Sequence, residues 1–390
     1  MDDGRDRYQG RGPSIAVRTG FAGPDSPEWG PCAGTRSRLM FAPMRRDRRE
    51  ATWKRGFWPS KVGGVLAPLV LASAIVGCGR EDLVGPEPGP GTEVGSVPHG
   101  FPLELESANG RRSVLTAPAR HVLPGNAGAL DLLLAVADDD WVAAINVGTR
   151  PYSVALADPK RLAQAPELKA FDMESIAVLA PDLVITHAWQ TLDKGPFLER
   201  MSIPVLELGE SDGLESIERD LERIGRALDR SERADEVIAD LRRRVAALRT
   251  VDRSAYEVLT LSGGDTGTWT AGSGTTAATL VDWANATHVP TELGLEGHFQ
   301  LDHEGLLEID PQVIVVSSDD GTLEGSSSWR ALRSDERLSG LRALGGDGFG
   351  IALESRRMGT TSHQLLEAAE ALAAALDSRS REAPDQNALK

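Results

Sequence analysis

Of the residue types in this sequence, histidine is the one best suited to bind a metal ion or to act as a general acid or base. His187 follows a short apolar run, where it could contact a ligand or bind the iron of a haem. His288, His298 and His303 lie close together along the chain but lack the i, i+4 spacing of a helical metal pair. The pattern does not favour a bare zinc or manganese site, which stays an alternative.

Catalytic motifs are the second kind of chemistry to consider. Ser362-His363 has no third partner at a recognisable spacing, and the sequence contains no G-x-S-x-G element. The segment GGDTGTWTAGSG at 263–274 is rich in glycine but lacks the lysine of a phosphate-binding loop. We therefore predict a binding protein that is not an enzyme and needs no cofactor of its own. A membrane-anchored hydrolase is the alternative.

Cys78 has a recognisable chemical context. It follows a basic flank and the uncharged apolar run 62–76, which is typical of a secretory signal and shorter than the roughly twenty residues of a membrane-spanning helix. The ending IVGC resembles the lipobox of bacterial lipoproteins, in which the Cys sulfur receives a diacylglycerol and the Cys becomes the new N-terminus. The resemblance implies a lipid anchor through Cys78, and a plain signal peptide cut nearby is the alternative.

The charge balance changes at the same point of the chain. Residues 1–77, interpreted as an extension plus a lipoprotein signal peptide, are basic, whereas the remaining chain has 29 Lys and Arg against 51 Asp and Glu. An acidic protein of this kind repels nucleic acid and anionic membrane surfaces, so neither is an expected partner. Residues 78–102 are rich in Pro, Gly and acidic residues, which predicts a flexible tether.

Short apolar runs alternate with helical patterns through the rest of the chain. This alternation predicts an α/β fold with parallel sheets covered on both faces. The stretch 229–251 is charged but has apolar residues at helical spacing, which predicts a single long connecting helix. We expect two Rossmann-like lobes, at 103–228 and 252–380, with a ligand cleft between them and a disordered tail at 381–390.

A short internal repeat supports the two-lobe interpretation. Residues 173–185 align without a gap on residues 303–315, at an offset of 130. Both segments have a Glu near the start of a short helix, then an apolar pair, a Pro and a buried strand. The Pro ends the helix and favours extended backbone before it, which leads into the strand. We therefore expect each lobe to contain one copy.

At these residues the chain resembles the ABC-importer solute-binding proteins that deliver ferric siderophores, haem and cobalamin. The resemblance covers about 118–376 and rests on RHVLPGN, SIAVLAPDLVITHAW, IPVLEL, the connecting helix, GLLEIDPQVIVV and RMGTTSHQLLEAAEALAAAL. It implies a monomer on the periplasmic, extracytoplasmic face of a membrane, with two lobes that hold the ligand in a shallow cleft. The implied ligand is cobalamin or a ferric siderophore, with haem as an alternative.

The same resemblance implies how such a protein meets its permease. Proteins of this class use one Glu on each lobe to dock onto arginine pockets of a permease dimer, and the matching positions here are Glu174 and Glu304. The internal repeat superimposes these two residues. A Glu in the first turn of a helix is also favoured by the helix dipole, which is the simpler interpretation of both.

Ligand contacts are expected in the loops that follow the strands, because sites in open α/β sheets lie beyond the carboxyl ends of the strands. Tryptophans in or near these loops suit a large, flat, partly apolar ligand. A shortage of arginines there favours a neutral corrinoid over an anionic siderophore. The predicted ligand-binding residues are Pro124, Asn126, His187, Trp189, Trp269, Ser273, Trp329 and Arg357. Trp283 lies inside a helical pattern and is expected in the core.

Overall fold

The computed structural model describes residues 100–187, 195–263, 268–345 and 347–382. Cys78, the signal-like segment, nearly all of the expected tether, Trp189 and the tail from residue 383 lie outside these residues. Within the described ranges, the helices are all too short or too polar to cross a membrane.

The first lobe is built on a small parallel sheet. Its elements are β1 (Leu103–Glu106), β2 (Arg112–Leu115), β3 (Val122–Pro124), α1 (Ala127–Val136), β4 (Ile145–Asn146), β5 (Glu167–Leu168), α2 (Met173–Leu179), β6 (Leu183–His187), α3 (Gly195–Arg200) and β7 (Val205–Leu208). β3, β6 and β7 pair in parallel in that order, while β1 and β2 form an antiparallel hairpin and β4 pairs with β5. All five residues of β6 are buried, as a strand covered on both faces requires.

One long helix, α5 (Ser231–Leu248), connects the lobes, as predicted. The helix before it, α4 (Leu214–Ala227), packs against α5 and against α1 of the first lobe. α5 buries Ala234, Ile238, Leu241 and Val245, which are four of the residues at helical spacing in the predicted connecting helix. Two bidentate ion pairs fix its polar side: Arg242 with Glu218 of α4, at 2.7 and 2.6 Å, and Arg244 with Glu370, at 2.9 and 2.6 Å.

The second lobe repeats the architecture with a larger sheet. Its elements are β8 (Arg253–Leu261), β9 (Trp269–Ala271), α6 (Thr276–Trp283), β10 (Ala286–His288), α7 (Val289–Glu292), β11 (His298–Gln300), α8 (His303–Ile309), β12 (Val313–Ser318), α9 (Ser327–Ser334), β13 (Phe349–Glu354), α10 (Ser355–Met358) and α11 (Leu365–Glu382). The parallel order is β10-β8-β12-β13, and β9 pairs with β11 in an antiparallel ribbon. The predicted α/β class with parallel sheets is therefore confirmed.

One hydrophobic cluster runs through both lobes. It contains alternate residues of the two sheets, such as Val313 and Val315, together with buried residues of α1, α4, α5, α6 and α11. The opposite faces of the sheets have separate clusters, with Ile314 and Val316 in the second lobe and Val184 in the first. Each sheet is thus covered on both faces, and the helices between the sheets form a core that the lobes share.

The internal repeat is confirmed in the backbone. α2 and α8 are each seven residues long, begin at positions that differ by 130 and are followed by strands at the same offset. Asp172 and Asp302 cap the two helices, each by accepting a hydrogen bond from the backbone N–H three residues later, at 2.8 Å. Both helices end at a left-handed residue before a proline, Ala180 with φ of 46° and Asp310 with φ of 41°. The expectation of extended backbone at these two positions was therefore wrong, because each residue forms the left-handed C-cap of its helix.

Candidate functional site

The strand ends of the first lobe bring two of the predicted ligand-binding residues together. Pro124 is buried at the end of β3, and Gly125 N–H donates to the carbonyl of Ile185 at 2.8 Å. Asn126 begins α1 by accepting a hydrogen bond from Ala129 N–H at 2.8 Å, and its Nδ2 lies 2.9 Å from Nδ1 of His187. Asn126 and His187 therefore act as a pair at the carboxyl edge of the sheet.

The hydrogen bonds of Asn126 determine which ring nitrogen of His187 carries the proton. Because the Asn126 carbonyl oxygen accepts from Ala129 N–H, its amide nitrogen faces His187 as a donor, and Nδ1 of His187 must accept. The ring proton then sits on Nε2. His187 is 2% exposed, and burial lowers the pKa of its imidazole to about 4, so the ring is neutral at pH 7. This placement offers no exposed nitrogen lone pair to a haem iron and argues against that role.

The second lobe places Trp269 beside the end of β8. The backbone N–H of Trp269 donates to the carbonyl of Ser262 at 2.8 Å, and the backbone N–H of Ser262 donates to the carbonyl of Trp269 at 2.9 Å. Trp269 is half-buried as a residue, so part of it remains accessible to solvent. Ser273 lies further along the same ribbon, where its hydroxyl donates to the carbonyl of Leu295 at 3.2 Å. Trp269 is therefore the better placed of the two for contact with a large ligand.

Trp329 lies in the core of the second lobe. It is 7% exposed within α9, and its ring covers Gly350, where an added Cβ would lie 2.4 Å from Cη2 of the indole. The surrounding cluster includes Leu332 and Val316. The prediction that Trp329 contacts a ligand gains no support from this placement, because its ring is already covered. Trp283, predicted as a core residue, is 1% exposed, and that prediction is confirmed.

The lobes meet along residues 356–362, which we call the rim segment. Arg356 Nη1 donates to the carbonyl of Ser153 at 3.2 Å, and Ser211 Oγ of the first lobe donates to the carbonyl of Thr361 at 2.8 Å. Gly128 of α1 is so close to the rim segment that an added Cβ would lie 1.9 Å from Oγ1 of Thr361. The second lobe is thus attached to the first at a line separate from α5.

Asp131 organises the first-lobe side of this junction. Its buried carboxylate accepts the Ser153 hydroxyl and the N–H groups of Val154 and Ala155, at 3.0 and 3.1 Å. Burial raises the pKa of the Asp131 carboxyl, and these hydrogen bonds oppose the rise. The result is a loop of fixed shape next to the rim segment.

Tyr152 precedes this loop and was missed in the sequence analysis. Its residue is 66% exposed although the neighbouring Ser153 is fully buried. An aromatic ring that projects from a fixed loop beside the junction of the lobes is a suitable wall for a flat ligand. The sequence signal was present, an aromatic residue after β4, but its position relative to the rim segment depends on the buried Asp131.

Arginine and glutamate side chains form ion pairs at the rim. Arg357, a predicted ligand contact, has Nη1 at 2.8 Å from Glu354 and Nε at 2.9 Å from Glu367. Arg356 Nε is 3.2 Å from the same Glu354. Arg357 and Glu354 line a cavity of about 370 Å³ at the ends of β12 and β13, together with Asp319 and Asp320. This cavity is acidic on balance, which favours neutral or cationic ligands over anionic ones.

The two glutamates assigned to docking are exposed and equivalent. Glu174 lies in the first turn of α2 and Glu304 in the first turn of α8, and both side chains face solvent. Across the ranges that the structure describes, no three His, Cys, Asp or Glu side chains converge as a metal site would require. Ser362 exchanges a hydrogen bond with Thr360 at 2.9 Å rather than with His363.

A sequence model of the periplasmic binding protein family matches residues 125–345, which include strands of both sheets and α5. No curated protein matches the chain in sequence.

Solved structures share the fold at low sequence identity. An ABC-type Fe3+-hydroxamate transport system protein of Saccharomonospora viridis is 22% identical, with a TM-score of 0.56, covering 71% of this chain and 99% of that one. A periplasmic heme-binding protein of a Roseiflexus species is 18% identical, with a TM-score of 0.56 and coverages of 67% and 99%. A periplasmic vitamin B12 binding protein of Vibrio cholerae is 18% identical, with a TM-score of 0.54 and coverages of 68% and 99%.

Proposed function

The chain belongs to the periplasmic binding protein family, and from this premise we propose that it captures a metal chelate, either cobalamin or a ferric chelate, and delivers it to the permease of an ABC importer. The observation that carries the proposal is that the family match extends across both parallel-sheet lobes and the connecting helix α5. Binding proteins of this type deliver their ligands to ABC permeases.

The charges of the rim support a neutral or cationic ligand. Arg357 lines the cavity at the ends of β12 and β13, and Arg356 precedes it in the chain. Glu354 pairs with both arginines, and Glu367 also pairs with Arg357. An anionic catecholate or the propionates of haem would have to compete with these carboxylates. A neutral corrinoid or a ferric hydroxamate of low charge would not, so we propose these two chelate classes as the ligands.

Two aromatic residues supply the proposed apolar contacts. Trp269 is half-buried at the end of β8, and Tyr152 is exposed beside the rim segment. Large aromatic rings contribute much of the binding energy of flat ligands. Asn126 and His187 shape the floor of the first lobe through their mutual hydrogen bond rather than by coordinating metal. Pro124, Ser273 and Arg357 remain proposed as contacts at the edges.

Delivery is proposed to use Glu174 and Glu304. The two carboxylates are exposed on helices with the same length, capping and offset. Carboxylates pair well with arginine in bidentate geometry, and a repeated surface suits a partner with two related subunits. We also propose a lipid anchor at Cys78, which would keep the protein close to its permease and raise the effective concentration for docking.

A fluorescence titration tests the proposed ligand. The purified protein is titrated with cyanocobalamin, a cationic ferric hydroxamate, an anionic ferric catecholate and haem, with zinc ion as a further ligand. We expect quenching that saturates at one equivalent of either cobalamin or the ferric hydroxamate, and weaker or no response to the anionic chelates. Absence of a response to every chelate would contradict the proposal.

A further inference from the structure

Two short helices carry exposed faces that the packing of the fold does not require. The α2 face is Glu174, Ala177 and Val178, and the α8 face is Glu304, Leu307 and Glu308; all of these residues are exposed except Ala177, which is half-buried. Each set follows the i, i+3, i+4 spacing that places side chains on one side of a helix. The repeat makes the two faces equivalent position by position, since each pair differs by 130 in number.

The α2 face is apolar beside its carboxylate. Val178 is 84% exposed, more than any other large apolar residue that the structure describes. Valine is a poor choice for such a position, because its branched side chain loses conformational freedom in a helix and gains no burial there. A partner that covers Val178 would explain why this residue stands one turn after Glu174.

The α8 face is more acidic. Glu308 replaces the equivalent of Val178, so Glu304 and Glu308 stand at i, i+4, where like charges repel. Neither forms an ion pair with any residue in the described ranges. The nearby Arg337 is bound instead by Asp335, with Nη2 and Oδ2 at 2.6 Å. A cationic partner would relieve the repulsion.

We propose that these two faces are chemically distinct docking surfaces, so that the protein meets its permease in one orientation only. The α2 face fits a seat with one cationic group and an apolar surface around Val178. The α8 face fits a seat with cationic groups for both Glu304 and Glu308. The partner is then a permease whose two halves differ at these seats. The inference rests on the proposed delivery function and adds that the protein docks on the permease in a single orientation.

Exchanging the two distinguishing residues tests the inference. The full chain and its variants Val178→Glu, Glu308→Val and the double exchange are compared for binding to the permease that supports uptake, reconstituted in lipid nanodiscs. We expect each single variant to weaken binding at least tenfold, and the double exchange to recover most of that loss, because its two faces are exchanged and it can dock in the opposite orientation. Val114→Glu is the matched control, because Val114 is 57% exposed on β2, away from both faces.

The outcomes separate this inference from the proposed function. Single variants that bind within twofold of wild type would show that the faces are interchangeable and would overturn the inference, as would a double exchange that recovers nothing of the loss in the single variants. An equal loss with Val114→Glu would assign the effect to general charge and overturn it too. If Glu174→Arg with Glu304→Arg also leaves binding intact, docking through these helices fails, and delivery by this route fails with it.

Discussion

At the scale of single residues, the two tryptophans near strand ends, Trp269 and Trp329, differ in how deeply they are buried. Trp269 is half-buried at an open strand end, whereas Trp329 fills the core over Gly350. Both follow a predicted strand in the sequence, and nothing in their immediate neighbours separates them. The distinction arises because Trp329 lies on the inward side of α9, a helix whose orientation depends on the packing of the whole second lobe.

We therefore predict opposite behaviour for the two alanine variants. Trp269→Ala should lower chelate affinity at least tenfold and cost only about 1 kcal/mol of unfolding free energy, since its ring is partly exposed. Trp329→Ala should cost about 3–5 kcal/mol, the usual effect of emptying a core aromatic site. Urea unfolding and ligand titration of both variants provide the measurement. Equal loss of stability in the two would contradict the assignment.

Asp220 provides a pH-dependent test at the same scale. It is 2% exposed, its carboxylate accepts Gly209 N–H at 3.0 Å, and Arg223 Nη1 lies at 3.2 Å. Burial raises the pKa of Asp220 from 3.8 to about 6, despite the opposing effect of Arg223. The folded state therefore binds more protons than the unfolded state between about pH 4 and 6, and stability falls as pH rises through this window.

Replacing Asp220 removes this contribution. We expect Asp220→Asn to gain on wild type by up to about 3 kcal/mol of unfolding free energy as pH rises from 4 to 7, from roughly two pKa units. His187, His288 and His363 have pKa values lowered to about 4 by burial, which destabilises the fold at acid pH, but they are common to both proteins. The difference between the two urea curves isolates Asp220.

Asp252→Asn is the control for this pH series. Hydrogen bonds from Ser254 lower the pKa of the Asp252 carboxyl, so the linkage has the opposite sign. The stability of this variant relative to wild type should stay level or fall as pH rises. A rise equal to that of Asp220→Asn would show that burial of Asp220 is not the cause.

At the scale of elements, the helix–proline–strand repeat could be predicted from the sequence because each of its parts depends on neighbouring residues. Helix start, proline and apolar strand are fixed by neighbouring residues, and α2 and α8 follow the offset of 130 throughout. The contacts of the rim segment could not be predicted, since its partners Gly128, Ser153 and Ser211 lie more than 100 residues away in the sequence. Contacts of that range leave no periodic pattern.

The contact between α1 and the rim segment predicts a non-additive pair of substitutions. Gly128→Ala favours the helix by about 1 kcal/mol but places Cβ against Thr361, so we expect a net loss of stability and weaker ligand binding. Combined with Thr361→Ala, the closest clash disappears, and stability should recover. A double-mutant cycle measured by urea unfolding checks the coupling. Simple additivity would show that the segment moves aside without cost.

At the scale of the whole molecule, the α/β class and two parallel-sheet lobes could be predicted from the alternation of elements. The shared core could not, because which faces of α1, α5 and α11 meet depends on the lobes being brought together. A core common to both lobes, a second attachment at the rim segment and ion pairs along α5 all limit relative movement. Such a molecule suits recognition by its surface rather than by a large closure.

Uptake of labelled chelate by cells carrying the permease is the measurement that tests the central claim most directly. Wild-type protein should support uptake, and Glu174→Arg with Glu304→Arg should reduce it at least tenfold while ligand affinity stays within twofold. A control pair, Glu199→Arg with Glu292→Arg, makes the same charge change at exposed positions on each lobe and should leave uptake intact. Unchanged uptake in the variant with Glu174→Arg and Glu304→Arg would contradict delivery through α2 and α8. Uptake that does not depend on the protein would contradict its role in import as a whole.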